Sequence, residues 1–187
     1  MRAIQSISLG SAKIVEIADP ELKPDCILVR PTYVANNPCD PFTIDFDSIF
    51  EKGQITGCDY AGTVEAIGSE VQTTLRPGDK VFGAVAAGVG CDTARGAFAE
   101  LVPAYGDFCF PLPRGVSEAA AATLGVGLST ICLSFYQDFG FPMPDEDPEF
   151  GKGKRFFVYG GSTTTGLLAI QFAKLYVMLR RCCAGRY

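Results

Sequence analysis

A turn rich in glycine and hydroxyl groups stands between two apolar segments in the last part of the chain. Residues 156–175 read FFVYGGSTTTGLLAIQFAKL, with apolar positions at helical spacing from about Thr164. Glycines let the backbone approach a ligand closely, and the N–H groups that open a helix attract phosphate. This order of strand, turn and helix is typical of dinucleotide-binding folds, although it also occurs where nothing binds.

The residues of the turn are therefore candidates for contact with the phosphates of a dinucleotide. Gly161 and Gly166 occupy the first and third glycine positions of the general fingerprint, and Thr163 stands at the middle one. Four consecutive hydroxyls and the backbone N–H groups could bind an anion. The residue that selects NAD or NADP, about 20 positions further on, falls at or beyond the end of the chain. The candidate cofactor-binding residues here are Gly160, Gly161, Ser162, Thr163, Thr164, Thr165 and Gly166.

We expect neither a zinc site nor catalysis by histidine in this chain. The chain contains no histidine, which excludes a Ser-His-Asp triad, a Cys-His dyad and any zinc site that uses histidine. Its 8 cysteines include no C-x-x-C pair, so a zinc site built from four cysteines is not expected either. Because no secretion signal is visible, we expect most of these cysteines to be reduced thiols that fill small interior spaces.

Composition narrows the class of protein. The 187 residues are 48% hydrophobic and 20% charged, as in ordinary globular proteins. A net charge of −5 without a run of lysine and arginine argues against nucleic-acid binding. No stretch has the composition of a signal peptide or a membrane span. We expect a cytoplasmic protein that binds neither nucleic acid nor a membrane, and that is a monomer.

Short β segments separated by glycine and proline dominate the first hundred or so residues and predict a compact barrel or sandwich. Ser117 is expected to cap a helix over 118–124, and a second helix is expected over about 128–138. A loop is expected over 141–154, a buried parallel-type strand over 155–159, and a helix from about Thr164. The predicted strands of the first part are 3–7, 12–16, 26–36, 59–67, 80–86, 96–102 and 107–111.

Several segments together resemble the zinc-independent branch of the medium-chain dehydrogenase/reductases, and in particular the trans-acting enoyl reductases of fungal polyketide synthesis. The segments are GCDYAGTVEAIGSEV (57–71), RPGDKVFG (76–83), GAFAELV (96–102), LPRGVSEAAAATL (112–124) and VYGGSTTTGLLAIQFAKL (158–175). The resemblance implies a mainly β GroES-like barrel, the alcohol-dehydrogenase-like N-terminal domain, followed by the first strand and helix of an incomplete α/β Rossmann domain. The implied division is barrel 1–125, connecting helix and loop 126–150, and start of the NADP-binding domain 151–187.

The resemblance also implies a function. It is the reduction of α,β-unsaturated polyketide acyl thioesters by NADPH, with the substrate carried on a polyketide synthase carrier protein. We expect this activity to be impaired by C-terminal truncation, and the tail RRCCAGRY (180–187) does not resemble the family. One alternative is a non-catalytic barrel that binds an acyl chain or a carrier protein. Another is a quinone-oxidoreductase-like enzyme.

The resemblance assigns roles to particular residues. Residues 37–40, Asn-Pro-Cys-Asp, match a family segment at the nicotinamide end of the cofactor, where an aromatic residue and a lysine usually follow. Here Cys39, Asp40, Pro41 and Phe42 are the matching cofactor-binding candidates, and no lysine is present. Thr130 matches a threonine that lines the substrate pocket and is the candidate catalytic residue. Cys58 stands where zinc-dependent relatives have a histidine ligand.

Overall fold

A computed structural model describes residues 1–86 and 92–176. The chain divides into two compact units, with the boundary between Val126 and Gly127. Three of the cysteines, Cys91, Cys182 and Cys183, and the end of the chain over 177–187 lie outside the described residues. The assignment of 151–187 to a nucleotide-binding domain stays a prediction.

The first unit is built from two antiparallel sheets. Strands β1 (Arg2–Ser8) and β2 (Ser11–Glu16) form a hairpin. The other five strands form a curled antiparallel sheet in the order β6-β3-β4-β5-β7. These five are β3 (Cys26–Ala35), β4 (Asp59–Ile67), β5 (Lys80–Ala84), β6 (Val102–Tyr105) and β7 (Cys109–Pro111). The curled sheet confirms the predicted GroES-like barrel.

The core of the first unit lies on one face of the five-stranded sheet. Because side chains alternate between the faces of a strand, every second residue of a half-buried strand points inward. In β3, Ile27 and Val29 are fully buried, and Tyr60 and Val64 of β4 join them. Further members of this core are Leu75, Val81, Val85, Ala97, Val102, Ala104 and Cys109.

Close backbone contact between β3 and β4 depends on one glycine. A Cβ atom placed on Gly62 would overlap the carbonyl oxygen of Arg30 and would lie 2.7 Å from the Cα of Pro31. Pro31 has no N–H to donate, and the register of the pair shifts just after it, between Pro31 and Tyr33. The small residue lets the two strands meet where the ladder is irregular.

One predicted strand of the barrel is largely absent from the structure. Strand β4 has the predicted bounds, but the segment predicted as a strand over 96–102 is wrong for most of its length. Residues 97 and 98 donate their N–H groups to the carbonyls of Gly57 and Thr56, and Ala99 forms a single bridge with Ala3. Because these are loop contacts and one isolated bridge to β1 instead of a continuous ladder, the regular strand begins only at Val102.

Four α-helices occur in the described residues. They are α1 (Phe42–Asp45), α2 (Glu118–Ala121), α3 (Gly125–Cys132) and α4 (Thr164–Leu175). The Ser117 side chain caps α2 as predicted, accepting from the N–H of Ala120 at 3.2 Å. The helix predicted over 128–138 begins earlier, at Gly125, and its last part, Leu133–Asp138, is π-helical. Among the described residues, none of the helices is long and apolar enough to cross a membrane.

An aromatic cluster forms the core of the second unit. Phe135, which is 1% exposed, lies at its centre, with the rings of five neighbours 5.1–6.5 Å from its own. The Tyr176 hydroxyl at the end of α4 donates to the carbonyl of Pro142 at 2.7 Å, which ties the helix to the loop. The neighbours of Phe135 are Phe139, Phe141, Phe156, Phe172 and Tyr176.

The strand predicted over 155–159 is wrong within the described residues. A β-strand is stabilised by hydrogen bonds to a neighbouring strand, and neither of the two described sheets includes this segment. Its side chains are also more exposed than predicted, since Phe157 is 71% exposed and Tyr159 is 68% exposed. Only Val158 is buried. The segment that leads into the glycine turn therefore belongs to neither of the described sheets.

Candidate functional site

The turn over 160–166 has the tight geometry that its glycines predict. Gly160 has a φ of +78°, in the left-handed region that favours glycine. A Cβ atom on Gly166 would overlap the Gly160 carbonyl oxygen and would lie 2.9 Å from the Cα of Gly161. Position 166 therefore requires glycine, because the chain folds back on itself there.

Thr163 holds the turn closed. Its hydroxyl donates to the Gly160 carbonyl at 2.9 Å and accepts from the Gly166 N–H at 3.0 Å, which makes it the N-cap of α4. Its own N–H also donates to the Gly160 carbonyl, at 3.0 Å. The sequence predicts an anion site with four hydroxyls, but the hydroxyl at position 163 is already engaged by the turn.

The remaining groups of the turn are left for a ligand. In the described part of the chain, the N–H groups of Ser162, Thr164 and Thr165 donate no hydrogen bond. The side chains of Ser162 and Thr164 are exposed. Unpaired N–H groups at the start of a helix carry partial positive charge and bind anions. A phosphate fits the chemistry of this turn.

Helix α3 packs against the start of α4. A Cβ atom on Gly127 would lie 2.7 Å from the Leu168 side chain and 3.3 Å from that of Thr164. Thr130 follows Gly127 by one helical turn, so it lies on the neighbouring part of the same helix face. Its side chain is exposed. Helix α3 therefore brings the candidate catalytic residue into the same unit as the glycine turn, and its role stays a prediction.

The loop over 37–42 is the second candidate segment. The Asn37 N–H donates to Asp40 Oδ2 at 2.6 Å, and the Asp40 N–H donates to the Asn37 carbonyl at 3.0 Å. Asp40 is 4% exposed, and burial raises the pKa of its carboxyl group. Pro41 precedes the first residue of α1, Phe42, which is 48% exposed and packs edge-to-face on Phe46.

Asp59 holds this loop against the start of α3. Its two carboxylate oxygens accept from Asn37 Nδ2 at 2.9 Å and from the Val126 N–H at 2.6 Å. Asp59 is 1% exposed, and burial raises its pKa although both hydrogen bonds oppose the shift. The captured N–H explains why α3 begins near Gly125. The partners of Asp59 are distant in sequence, so a pattern of residues could not reveal them.

One group of side chains in the described residues could hold a metal ion. The Sγ atoms of Cys39 and Cys58 and a carboxylate oxygen of Asp40 lie within 4.8 Å of one another. Structural zinc sites use four protein ligands, whereas catalytic zinc sites use three and a water molecule. Three donors are therefore enough for an open site only. That the chain holds no metal stays a prediction.

A separate apolar groove lies on the barrel unit. Its volume is about 450 Å³, and it is bordered by the hairpin of β1 and β2, by β3 and by residues 97–100. Ile14 and Tyr33 line it and are 72% and 50% exposed. None of the candidate site residues contributes to its wall.

Comparison with known proteins defines the class of the fold. Residues 23–114 match the alcohol dehydrogenase GroES-like domain. This range contains β3 to β7 and the loop over 37–42. The barrel unit therefore contains a domain similar to the GroES-like domain of alcohol dehydrogenases.

Fungal enoyl reductases are among the similar curated proteins. A trans-enoyl reductase from Alternaria alternata is 39% identical over 174 residues, which cover 93% of this chain and 50% of that protein. A trans-enoyl reductase from Cochliobolus carbonum is 40% identical over 156 residues, covering 83% of this chain and 51% of that protein. The chain thus spans about half the length of the curated relatives it matches.

Solved structures share the fold. An alcohol dehydrogenase superfamily protein from Novosphingobium aromaticivorans superposes with a TM-score of 0.77 at 24% identity, covering 98% of this chain and 52% of that one. A quinone oxidoreductase from Coxiella burnetii superposes with a TM-score of 0.70 at 24% identity, covering 98% and 55%. A quinone oxidoreductase from Escherichia coli, solved in complex with NADPH, superposes with a TM-score of 0.68 at 19% identity, covering 98% and 51%.

Proposed function

We propose that this chain is an NADPH-dependent, enoyl-reductase-like oxidoreductase that reduces α,β-unsaturated polyketide acyl thioesters. The observation that carries the proposal is its 37–40% identity to fungal trans-enoyl reductases over 83–94% of the chain. Because the chain spans about half of each relative, the activity of the full-length relatives is transferred here as a proposal only.

The glycine turn is the part of the chain that would hold the phosphates of NADPH. Three observations support this assignment. Gly166 leaves space that a Cβ atom would fill, the N–H groups of Ser162, Thr164 and Thr165 are unpaired among the described residues, and the turn is closed by Thr163. The loop over 37–42 would contact the nicotinamide end, as the family resemblance implies.

Thr130 would stabilise the charge that develops during the reaction. When bound, NADPH would supply the hydride that reaches the β-carbon of the enoyl thioester. Negative charge then accumulates on the acyl carbonyl oxygen, and a positioned hydroxyl lowers the free energy of that state. We assign this hydrogen bond to the hydroxyl of Thr130, and protonation at the α-carbon completes the reduction.

Two features of the loop over 37–42 shape the proposal. Pro41 and Phe42 occupy the places where relatives have an aromatic residue and a lysine, so this segment offers no cation to the cofactor. Thr130 is then the group on which carbonyl stabilisation rests.

We further propose that the chain is a monomer and that the acyl thioester is presented by a carrier protein. Light scattering and pull-down with an acylated carrier protein test these two points.

The activity is tested by NADPH consumption with crotonyl thioesters and, separately, with a simple quinone. Thr130→Val should lower kcat roughly tenfold because it removes one hydrogen bond to the developing oxyanion. Thr130→Ser, which restores the hydroxyl, is the matched control and should recover most of the rate.

The same assay can contradict the proposal in two ways. Faster turnover of the quinone would favour the quinone-oxidoreductase-like alternative, which the solved structures of that class suggest. NADPH binding without turnover of either substrate would favour the non-catalytic module. Equal rates in Thr130→Val and the wild type would remove Thr130 from the mechanism.

A further inference from the structure

Two cysteines and a buried carboxylate meet next to the loop over 37–42. Cys39 lies within this loop, and Cys58 immediately precedes β4. Their Sγ atoms and a carboxylate oxygen of Asp40 lie within 4.8 Å of one another. Rotation about the side-chain bonds is the movement that would bring the sulfur atoms to bonding distance.

The two thiols differ in their access to solvent. Cys39 is exposed, whereas Cys58 is 8% exposed. A dissolved reagent can therefore reach Cys39 first, and Cys58 is placed behind it as a second thiol. This division between an accessible and an internal cysteine is the arrangement in which an initial adduct is resolved into an internal disulfide.

Asp40 provides a proton acceptor for the internal thiol. A carboxylate oxygen of Asp40 lies within 4.8 Å of the Cys58 Sγ atom, and Asp40 is itself 4% exposed. Attack by Cys58 requires loss of its proton, and a neighbouring carboxylate can accept it. The cluster therefore contains the three groups that disulfide exchange needs.

The other described thiols lack this combination. Burial raises the pKa of both Cys26 and Cys109 to about 11, and both lie within the sheet of the barrel. Cys26 is also contacted by Arg95 Nη2 at 3.4 Å. Cys132 lies on α3. None of these three belongs to the group formed by Cys39, Asp40 and Cys58.

We propose that Cys39 and Cys58 form a redox-active pair that is converted to a disulfide by a low-molecular-weight disulfide such as oxidised glutathione. In the first step Cys39 attacks the glutathione disulfide, whose S–S bond breaks, and one reduced glutathione leaves. In the second step Cys58 attacks the Cys39 sulfur, passes its proton to Asp40, and displaces the second glutathione, which takes up the proton. The two thiols are oxidised by two electrons, and one glutathione disulfide is reduced to two thiols.

This inference does not depend on NADPH binding or turnover, so it stands or falls separately from the proposed function. Burial and the negative charge of Asp40 raise the pKa of Cys39, which makes the thiol slower than an activated cysteine. The exchange is therefore best followed at mildly alkaline pH and at equilibrium.

The test is equilibration of the full chain in buffers of increasing oxidised-to-reduced glutathione ratio with a metal chelator present. Free thiols are then blocked, and peptides are mapped by mass spectrometry. We expect the peptides that contain Cys39 and Cys58 to become linked and to separate again on reduction. Cys58→Ser should show one stable glutathione adduct on Cys39. Cys39→Ser should leave Cys58 reduced, and the matched control Cys132→Ser should behave as the wild type.

Several results would overturn the proposal. One is alkylation of both cysteines at every ratio, which would mean that neither is oxidised. Another is accumulation of the glutathione adduct on Cys39 of the wild type without linkage to Cys58. Linkage of either cysteine to Cys91, Cys182 or Cys183 in preference to the other would also contradict it. Because the wild-type peptide map decides between these outcomes, the conclusion does not require any variant to fold.

Discussion

The loop over 37–42 and the turn over 160–166 use their polar groups in opposite ways. At the loop, the Asn37 side-chain amide donates to the carboxylate of Asp59 in β4, and both carboxylates accept backbone N–H groups. Asp40 and Asp59 are buried, and only Asp40 Oδ1 lacks a hydrogen-bond partner among the described residues. In the turn, one hydroxyl closes the structure and three N–H groups remain unpaired among the described residues. The loop is thus stabilised by its own hydrogen bonds, and the turn retains hydrogen-bonding capacity for a ligand.

This comparison predicts that substitutions in the two segments affect different measurements. A change to the carboxylates near the loop should appear as lost folding stability, because it leaves buried partners without a bond. A change to the exposed surface of the turn should appear as lost phosphate binding with little change in stability. A substitution that changes only stability or only phosphate binding would support this difference between the two segments. A substitution that changes both would contradict it.

The largest expected effect is that of Asp59→Ala. The variant leaves the Val126 N–H and the Asn37 side-chain amide without their acceptor, so we expect a loss of about 3 kcal/mol in the free energy of unfolding. Urea denaturation measures this change, and Asp45→Ala at an exposed position is the control. If both variants unfold at the same urea concentration, Asp59 does not hold the loop to α3.

An effect of about 2 kcal/mol is expected for Gly166→Ala, because the added methyl group overlaps the Gly160 carbonyl oxygen and forces the turn apart. The loss should be local. Amide hydrogen exchange across 164–175 measures it, and Thr165→Ala in the same turn should change exchange by less than about 0.5 kcal/mol. Unchanged protection in Gly166→Ala would show that the turn is looser than its geometry indicates.

The smallest effect, about 1 kcal/mol or less, is expected for Asp40→Asn and depends on pH. Burial raises the pKa of Asp40 in the folded state. Its stabilising contribution is therefore full below the unfolded pKa of about 3.9 and is lost as the pH rises through the folded pKa. The asparagine does not titrate, so the stability of Asp40→Asn relative to the wild type should increase from about pH 4 towards neutral.

Denaturation of both proteins at several pH values measures this difference. Asp59 also has a raised pKa, chiefly through burial, and the charge of Asp40 adds to that shift. Asp40→Asn removes this repulsion, so the change at Asp59 acts in the same direction as the predicted difference. A wild type that gains stability over Asp40→Asn as the pH rises would mean that the hydrogen bonds of Asp40 outweigh its burial.

Local patterns predicted the parts of the fold that depend on near neighbours. The bounds of β4, the cap of α2 by Ser117 and the start of α4 at Thr164 follow from alternation, capping and helical spacing within a few residues. The segment over 155–159 has the composition of a buried strand but no strand partner in the described residues, and composition alone cannot supply one.

The candidate site was predictable only in part. The glycine turn is a contiguous motif, so the sequence identified it. The hydrogen bonds of Asp59 and the meeting of Cys39 with Cys58 join residues far apart in the chain. Most of the cysteines were predicted to be interior fillers, since spacing gives no sign that two of them become neighbours. One sign was present at Cys58, which occupies a metal-ligand position of zinc-dependent relatives.

Calorimetric titration of the full chain with NADPH tests the central claim most directly, with Ser162→Glu as the variant and Gln171→Glu as the control. The variant adds negative charge at the exposed start of α4, where it favours the helix dipole and should not reduce stability. We expect micromolar binding to the wild type and to Gln171→Glu, and at least roughly tenfold weaker binding to Ser162→Glu, about 1.4 kcal/mol. Equal affinity in all three proteins, or a folded wild type that binds no NADPH, would contradict the assignment of the turn as the phosphate site.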